Sequence, residues 1–134
     1  MKELNKLAFI CEDFAPGLPS QQLLDRFLLG YPRDGEFRRL EGCVVTAFCA
    51  APESDAALRQ REKDHGLRVA DSVTQAVGEA DAVIIARKGA GVEGNDELLE
   101  YALEHSRAGS RFFIHGTLGS SVESAATFYE QTAG

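Results

Sequence analysis

Apolar runs of strand length alternate five times with stretches of helical periodicity, and this alternation constrains the fold more than any other feature of the chain. The predicted strands are residues 7–11, 43–49, 67–70, 81–86 and 111–115. The run VIIA in the fourth strand is apolar on both faces, which is typical of strands that helices cover on both sides. Strict alternation with right-handed crossovers therefore predicts an α/β fold: a doubly wound parallel sheet of five strands in the order 3-2-1-4-5, with helices on both faces.

The length and charge of the chain narrow its class. Its 134 residues, 44% of them hydrophobic, are enough for a single domain, residues 1–134, and too few for two. Lys and Arg number 14 against 21 Asp and Glu, and the net charge of −7 argues against nucleic acid or an anionic membrane as a partner. No apolar run approaches the roughly 20 residues that span a bilayer. Three cysteines without a preceding signal peptide indicate a reduced, cytoplasmic protein.

A cluster of three basic residues precedes the second strand, in a segment predicted to be a surface loop. Its members are Arg33, Arg38 and Arg39, and Glu36 and Glu41 lie among them. Since the acidic residues offset the basic ones, the cluster indicates a mixed-charge surface and not a nucleic-acid site.

Ligands of doubly wound sheets bind outside the carboxyl ends of the strands, here between the first and fourth strands. The loop after the first strand, CEDFAPGLPS, contains five candidate cofactor contacts: Asp13, Phe14, Ala15, Gly17 and Ser20. A dinucleotide fingerprint needs three glycines in the spacing G-x-G-x-x-G, whereas this loop has Gly17 alone, and Glu12 and Asp13 add negative charge. Helix N-terminal amides near residues 18–22 would still bind an anion. The alternative is an ordinary strand–helix loop.

The end of the second strand carries small residues, Ala50 and Ala51, which leave room for an adenosine. Sheets that bind NAD usually have an acid near this point for the ribose hydroxyls. The first acids here are Glu53 and Asp55, which are predicted to lie inside the next helix. Ala50 is therefore a candidate cofactor contact in a site that lacks the usual carboxylate.

The loop after the fourth strand, ARKGAGVEGN, is the strongest candidate for a binding loop in the chain. Arg87 and Lys88 follow the strand directly, and Gly89 comes next. Two cations beside a glycine-rich loop could contact a phosphate or a carboxylate, so all three are candidate cofactor contacts. The spacing of a P-loop is absent. The alternative is a solvated turn whose charges offset neighbouring acids.

His115 ends the fifth strand and is the candidate catalytic residue, because a histidine at that edge can exchange a proton near neutral pH. The alternative is a structural hydrogen-bonding role. Cys11 and Cys49 end neighbouring parallel strands and are predicted to be small, buried apolar thiols. No C-x-x-C or similar clustered spacing exists in the sequence, so no metal site is predicted.

Two segments are similar to a known family. The run REKDHGLRVADSVTQAVGEADAVIIA, residues 61–86, resembles the N-terminal domain of the Gfo/Idh/MocA oxidoreductases, the glucose–fructose oxidoreductase and inositol dehydrogenase family. In that family a helix ending in a His-Gly-like turn leads to a short strand, a small helix and an apolar strand. The segment FFIHGTLGSSVESAATFYEQTAG lies where the family has its Glu-Lys-Pro motif. The resemblance implies a Rossmann-like, nucleotide-binding domain of an oxidoreductase, with NAD or NADP as its cofactor.

The sequence also departs from that family. His115, Gly116 and Thr117 stand in place of Glu-Lys-Pro, so Gly116, a further candidate cofactor contact, replaces the lysine that contacts cofactor and substrate. The family's C-terminal substrate domain is absent from these 134 residues. The resemblance thus implies a cofactor domain that is inactive alone. The alternative is a cofactor-free Rossmann-like module that binds another small anion or a protein partner. A missing sixth strand would leave a sheet edge open for homo-oligomer formation.

Overall fold

The computed structural model describes residues 6–15, 17–38, 42–51, 55–87, 96–115 and 122–133. The described elements, in chain order, are β1 (Lys6–Cys11), α1 (Pro19–Leu28), β2 (Tyr31–Arg33), β3 (Glu36–Arg38), β4 (Val44–Cys49), α2 (Asp55–His65), β5 (Arg68–Val69), α3 (Val73–Val77), β6 (Ala82–Ala86), α4 (Asp96–His105), β7 (Arg111–His115) and α5 (Val122–Ala133).

Five of the strands form one parallel sheet, in the order β5-β4-β1-β6-β7. This is the predicted order 3-2-1-4-5, so the α/β class, the central place of β1 and the edge position of β7 are confirmed. The register matters for the site: Cys11, the last residue of β1, pairs with Cys49 of β4 on one side and with Ala86 of β6 on the other. The carboxyl ends of the three central strands are therefore level with one another.

Each face of the sheet has its own apolar core. On one face, β1 and β6 pack with α3 and α4, and the buried side chains include Ile10, Val83 and Leu99. On the other face, Phe9 and Ile84 pack with Leu24 of α1, and Leu58 of α2 joins the same cluster. Successive strand residues alternate between these two cores, which explains why the central strands are apolar at consecutive positions.

Local signals set the ends of several helices. Pro19 is in the first turn of α1, where its missing N–H costs nothing. Gly30, just after α1, has φ +109°, a left-handed conformation in which glycine is favoured. The predicted N-cap of α3 is confirmed, because Ser72 Oγ accepts from Gln75 N at 3.1 Å. The return bond of the predicted capping box differs by one residue, since Gln75 Oε1 accepts from Asp71 N at 2.8 Å and not from Ser72 N.

A two-stranded hairpin stands where the sequence predicted a loop, and that prediction was wrong. Strands β2 and β3 pair antiparallel around Asp34 and Gly35, which have φ +53° and +77°. Two successive residues with positive φ form the turn type that favours Asp-Gly and matches the twist of a hairpin. Arg33 and Arg38 lie on this hairpin as exposed residues, whereas Arg39 lies outside the described residues.

The edge strand β7 is less covered than the central strands. Phe113 pairs with Ile84 of β6, yet Phe113 is 55% exposed and Ile84 only 3%. Among the described helices, none is long and apolar enough to cross a membrane.

Candidate functional site

The candidate site is the carboxyl edge of the sheet, where the first residues after β1, β4 and β6 donate backbone hydrogen bonds to a neighbouring strand. Ala50 N donates to the carbonyl of Cys11 at 3.0 Å, and Glu12 N to that of Ala86 at 3.4 Å. Arg87 N donates to the carbonyl of His115 at 2.9 Å. The structure thus brings the predicted residues Ala50, Arg87 and His115 to one edge, with the loop after β1 between them.

The loop between β1 and α1 is closed by its own hydrogen bonds. The buried Ser20 donates through Oγ to the carbonyl of Asp13 at 2.7 Å. Gly17 N donates to Gln21 Oε1 at 3.0 Å, and Gln22 Nε2 donates to the carbonyl of Gly17 at 3.3 Å. With φ +87°, Gly17 has a backbone conformation that a larger residue would strain. Ser20 and Gly17 therefore fix the path of the loop.

The other two candidates in this loop are also held by packing and backbone contacts. Phe14 is 2% exposed and belongs to the core on the α1 face. Its ring lies under the Arg61 guanidinium, with 4.8 Å from the guanidinium carbon to the ring centroid. The carbonyl of Ala15 accepts from Leu18 N at 3.1 Å. The loop has a packed interior, which no spacing of glycines in the sequence revealed.

Arg61 also anchors α2 to α1. Its Nε and Nη2 donate to the two carboxylate oxygens of Asp25 at 2.7 and 2.9 Å, and its Nη1 donates to the carbonyl of Ala57 at 3.2 Å. Burial raises the pKa of Asp25, but hydrogen bonds from Arg61 and Gln21 outweigh it, and the pKa lies below its usual value.

A buried acid and a buried base follow the central strands. Glu12 is 9% exposed and Arg87 is 5% exposed. They come directly after the register pair Cys11 and Ala86, so they occupy adjacent positions on neighbouring strands. Arg87 is therefore buried and not solvated as that alternative expected, whereas its position beside the acid Glu12 agrees with the expected offset of charge. Two of the other predicted contacts near this edge, Lys88 and Gly89, lie outside the described residues, and so does Gly116.

A cavity of about 470 Å³ opens at the carboxyl ends of β4 and β5. Its lining includes Ala50, Ala51 and Cys49 from the end of β4, and Val69 from β5. Asp55 also lines it, as the first residue of α2, and lies 3.5 Å from Arg59 Nε. Sequence reasoning placed Asp55 inside the helix and did not select it. Its position as an acid soon after the end of β4 was the available signal.

His115 is exposed at the end of β7. Because β7 is separated from β1 by β6, this histidine lies two strands away from the loop after β1. Among the described residues, no three His, Cys, Asp or Glu side chains are grouped as they would be around a metal ion.

Five parallel strands in this order, with helices packed on both faces, define a Rossmann-like α/β domain. The chain is similar in structure to a dehydrogenase, MviM, from Clostridium difficile, with a TM-score of 0.65 and 16% sequence identity. The match covers 98% of this chain and 36% of that chain, so this chain spans about a third of the dehydrogenase's length. No family model and no curated protein matches.

Proposed function

We propose that this domain binds NAD or NADP at the carboxyl edge of its sheet, as the cofactor domain of an oxidoreductase of the Gfo/Idh/MocA type. The observation that carries the proposal is the cavity beside Ala50 and Ala51, with the carboxylate of Asp55 in its wall. A volume of about 470 Å³ is within the range of small-molecule sites. The fold similarity to a dehydrogenase supports the same assignment.

The adenosine half of the cofactor fits these residues. The small side chains at the end of β4 leave space for the base and sugar, and Asp55 can accept hydrogen bonds from the ribose hydroxyls. A 2′-phosphate would meet the Asp55 carboxylate, although Arg59 lies 3.5 Å from it. The cavity therefore favours NAD over NADP.

The pyrophosphate half fits poorly. Gly17 N, which would face a phosphate in a glycine-rich loop, donates to the side chain of Gln21 at the surface. The buried Glu12 places an acid beside the buried Arg87 at this edge of the sheet. We therefore expect weak binding, with a Kd around 1 mM, which corresponds to about −4 kcal/mol.

We also propose that the domain does not transfer hydride by itself. Gly116 stands where the resemblance expects the lysine that contacts cofactor and substrate. His115, the candidate proton donor or acceptor, is an exposed residue of the edge strand. The bound nicotinamide would supply the hydride chemistry, and the residues named here would hold the cofactor.

The second candidate function is a cofactor-free module for another small anion or a protein partner. The closed loop after β1 favours it, because Phe14 and Ser20 are buried in structural contacts where a dinucleotide site needs open backbone. The two functions differ in their response to adenine nucleotides.

Calorimetric titration with NAD⁺, NADP⁺, their reduced forms and ADP-ribose tests the proposal. We expect millimolar binding of NAD⁺ and ADP-ribose, which Asp55→Ala weakens strongly. The matched control is Asp64→Ala, an exposed acid on the same helix that contacts Gln60 and does not line the cavity. Absence of heat with every adenine nucleotide at several millimolar, in a folded sample, would overturn the proposal in favour of the cofactor-free module.

A further inference from the structure

Two cysteines lie side by side at the carboxyl edge. Cys11 and Cys49 are the last residues of β1 and β4, and they are paired in the register of these parallel strands. Register-paired residues of parallel strands point to the same face. Neighbouring strands are about 4.8 Å apart, which is within the range of Cα separations that disulfides span. The Cys11 thiol donates to the carbonyl oxygen of Phe48 at 3.7 Å, and Cys49 lies close enough to raise the pKa of Cys11.

The two thiols differ in their access to solvent. Cys11 is fully buried at 0% exposure, whereas Cys49 is half-buried and lines the cavity at the ends of β4 and β5. A small reagent in that cavity therefore meets the Cys49 sulfur first. Cys43, at the other end of β4, is a free, half-buried thiol and serves as an internal comparison.

Cys11 also resists ionisation. The hydrogen bond with Cys49, followed by burial, raises the pKa of Cys11 far above its usual value, and Asp13 and Glu12 add to the effect. Cys11 therefore keeps its proton before oxidation, and Cys49, which borders the cavity, is the thiol that reacts first. A thiolate with solvent access is the nucleophilic form of a cysteine.

We propose that Cys49 and Cys11 form a reversible dithiol–disulfide pair, with Cys49 as the attacking thiol and Cys11 as the resolving thiol. With hydrogen peroxide as oxidant, the Cys49 thiolate attacks one peroxide oxygen and breaks the O–O bond. This leaves a sulfenic acid on Cys49 and a hydroxide that takes up a proton. Cys11 sulfur then attacks the Cys49 sulfur, and its proton leaves with the expelled hydroxyl as water. Two thiols are oxidised to one disulfide, and one peroxide is reduced to two waters.

The disulfide would form where a reductant can reach it. Its Cys49 sulfur borders the cavity at the ends of β4 and β5, so a small thiol can reduce the bond by thiol–disulfide exchange. Cys49 lines the same cavity as the proposed cofactor site, but the reaction itself needs no nucleotide.

The test treats the full chain with hydrogen peroxide, blocks the remaining thiols with iodoacetamide and maps the peptides by mass spectrometry. We expect a cross-link between the peptides of Cys11 and Cys49, a loss of two hydrogen atoms and of two alkylatable thiols, and full recovery with dithiothreitol. Cys43 should stay alkylatable. Cross-linking through Cys43, or alkylation of Cys11 and Cys49 after oxidation, would overturn the proposal.

Variants separate the two roles. In Cys11→Ala the sulfenic acid on Cys49 should persist long enough to be trapped by dimedone, whereas Cys43→Ala should oxidise like the wild type. Since Cys11→Ala changes a buried residue, the rates of alkylation in the untreated wild type give a second measurement: Cys49 should react well before Cys11. Equal rates for these two thiols would contradict the assignment.

Discussion

Arg61 and Asp25 form a bidentate ion pair that joins α2 to α1, with donor–acceptor distances of 2.7 and 2.9 Å. Both side chains are mostly buried, at 20% and 16% exposure, and the guanidinium also covers the ring of Phe14. The pair therefore connects both helices on one face of the sheet with the loop of the candidate site.

Removal of this connection should destabilise the domain. We expect Arg61→Ala to lower the free energy of unfolding by about 2 kcal/mol, because a charged hydrogen-bonding group and its stacked contact are lost together. Urea denaturation measures this change in the free energy of unfolding. Lys63→Ala, an exposed position two residues further along α2, is the control and should change stability by less than about 0.5 kcal/mol. Equal effects of the two variants would show that the ion pair contributes little.

The ion pair between Arg61 and Asp25 should also make the stability of the domain depend on pH. The folded-state pKa of Asp25 lies below its usual value, so the pair contributes its full stability above about pH 4. This contribution is lost as the pH falls through the lowered pKa. The stability difference between the wild type and Asp25→Asn should therefore be largest above about pH 4 and shrink below it. A constant difference for Asp25→Asn across this pH range would contradict the assignment.

The core on the α1 face is tested at Ile84. Its side chain is 3% exposed in the middle of β6, as the sequence predicted, and so is that of Val83 on the opposite face at 0%. Ile84→Ala should cost about 2–5 kcal/mol in a denaturant melt. Its register neighbour Phe113 is 55% exposed, so Phe113→Ala should cost about 1 kcal/mol or less. A cost below about 0.5 kcal/mol for Ile84→Ala would contradict the packing.

The turn of the hairpin between β2 and β3 predicts what a side chain at Gly35 would cost in stability. Gly35 has φ +77°, and a Cβ there would meet no atom within 4 Å, so only backbone strain opposes a side chain. Gly35→Ala should cost about 1–2 kcal/mol. Gly78→Ala is not a matched control, because its Cβ would contact a backbone oxygen at 3.1 Å. The better comparison is Gly35→Asn, which tolerates positive φ and should recover most of the loss.

The anion site predicted from the sequence is tested by two double variants. Replacing Arg87 and Lys88 together by Ala should abolish nucleotide binding, measured by calorimetry, whereas replacing Arg38 and Arg39 should leave it unchanged. Since Arg87 is buried, circular dichroism of the first variant must show a folded protein. Unchanged affinity in a folded Arg87/Lys88 variant would place the site elsewhere.

The sequence predicted the strands of the sheet and their order, but it did not predict the contacts that shape the candidate site. Apolar periodicity placed β1, β4, β6 and β7 within about a residue of their observed bounds, because burial on both faces leaves a continuous apolar run. The hairpin was missed because its exposed strands have no such run, and Asp34-Gly35 was its only signal.

The site residues depend on contacts that no local pattern encodes. Phe14 is buried by core residues and by Arg61, which is distant in sequence, and the Gly17 amide is occupied by the side chain of Gln21. Asp55 was passed over because its place in the wall of the cavity depends on how α2 packs beside β4, which composition does not encode.

The strand order has a consequence for synthesis on the ribosome. The strand made first, β1, lies at the centre, and its two partners are made later, with Leu7 pairing with Val45 and then with Ala82. A nascent chain that has not yet reached β6 therefore holds a strongly apolar strand with one edge unsatisfied. Folding must wait until β6 pairs with β1 across this long sequence separation. Such pairing is slow in parallel sheets, and the delay exposes the growing chain to aggregation. For this domain, chaperone demand should be greatest just before β6 leaves the exit tunnel.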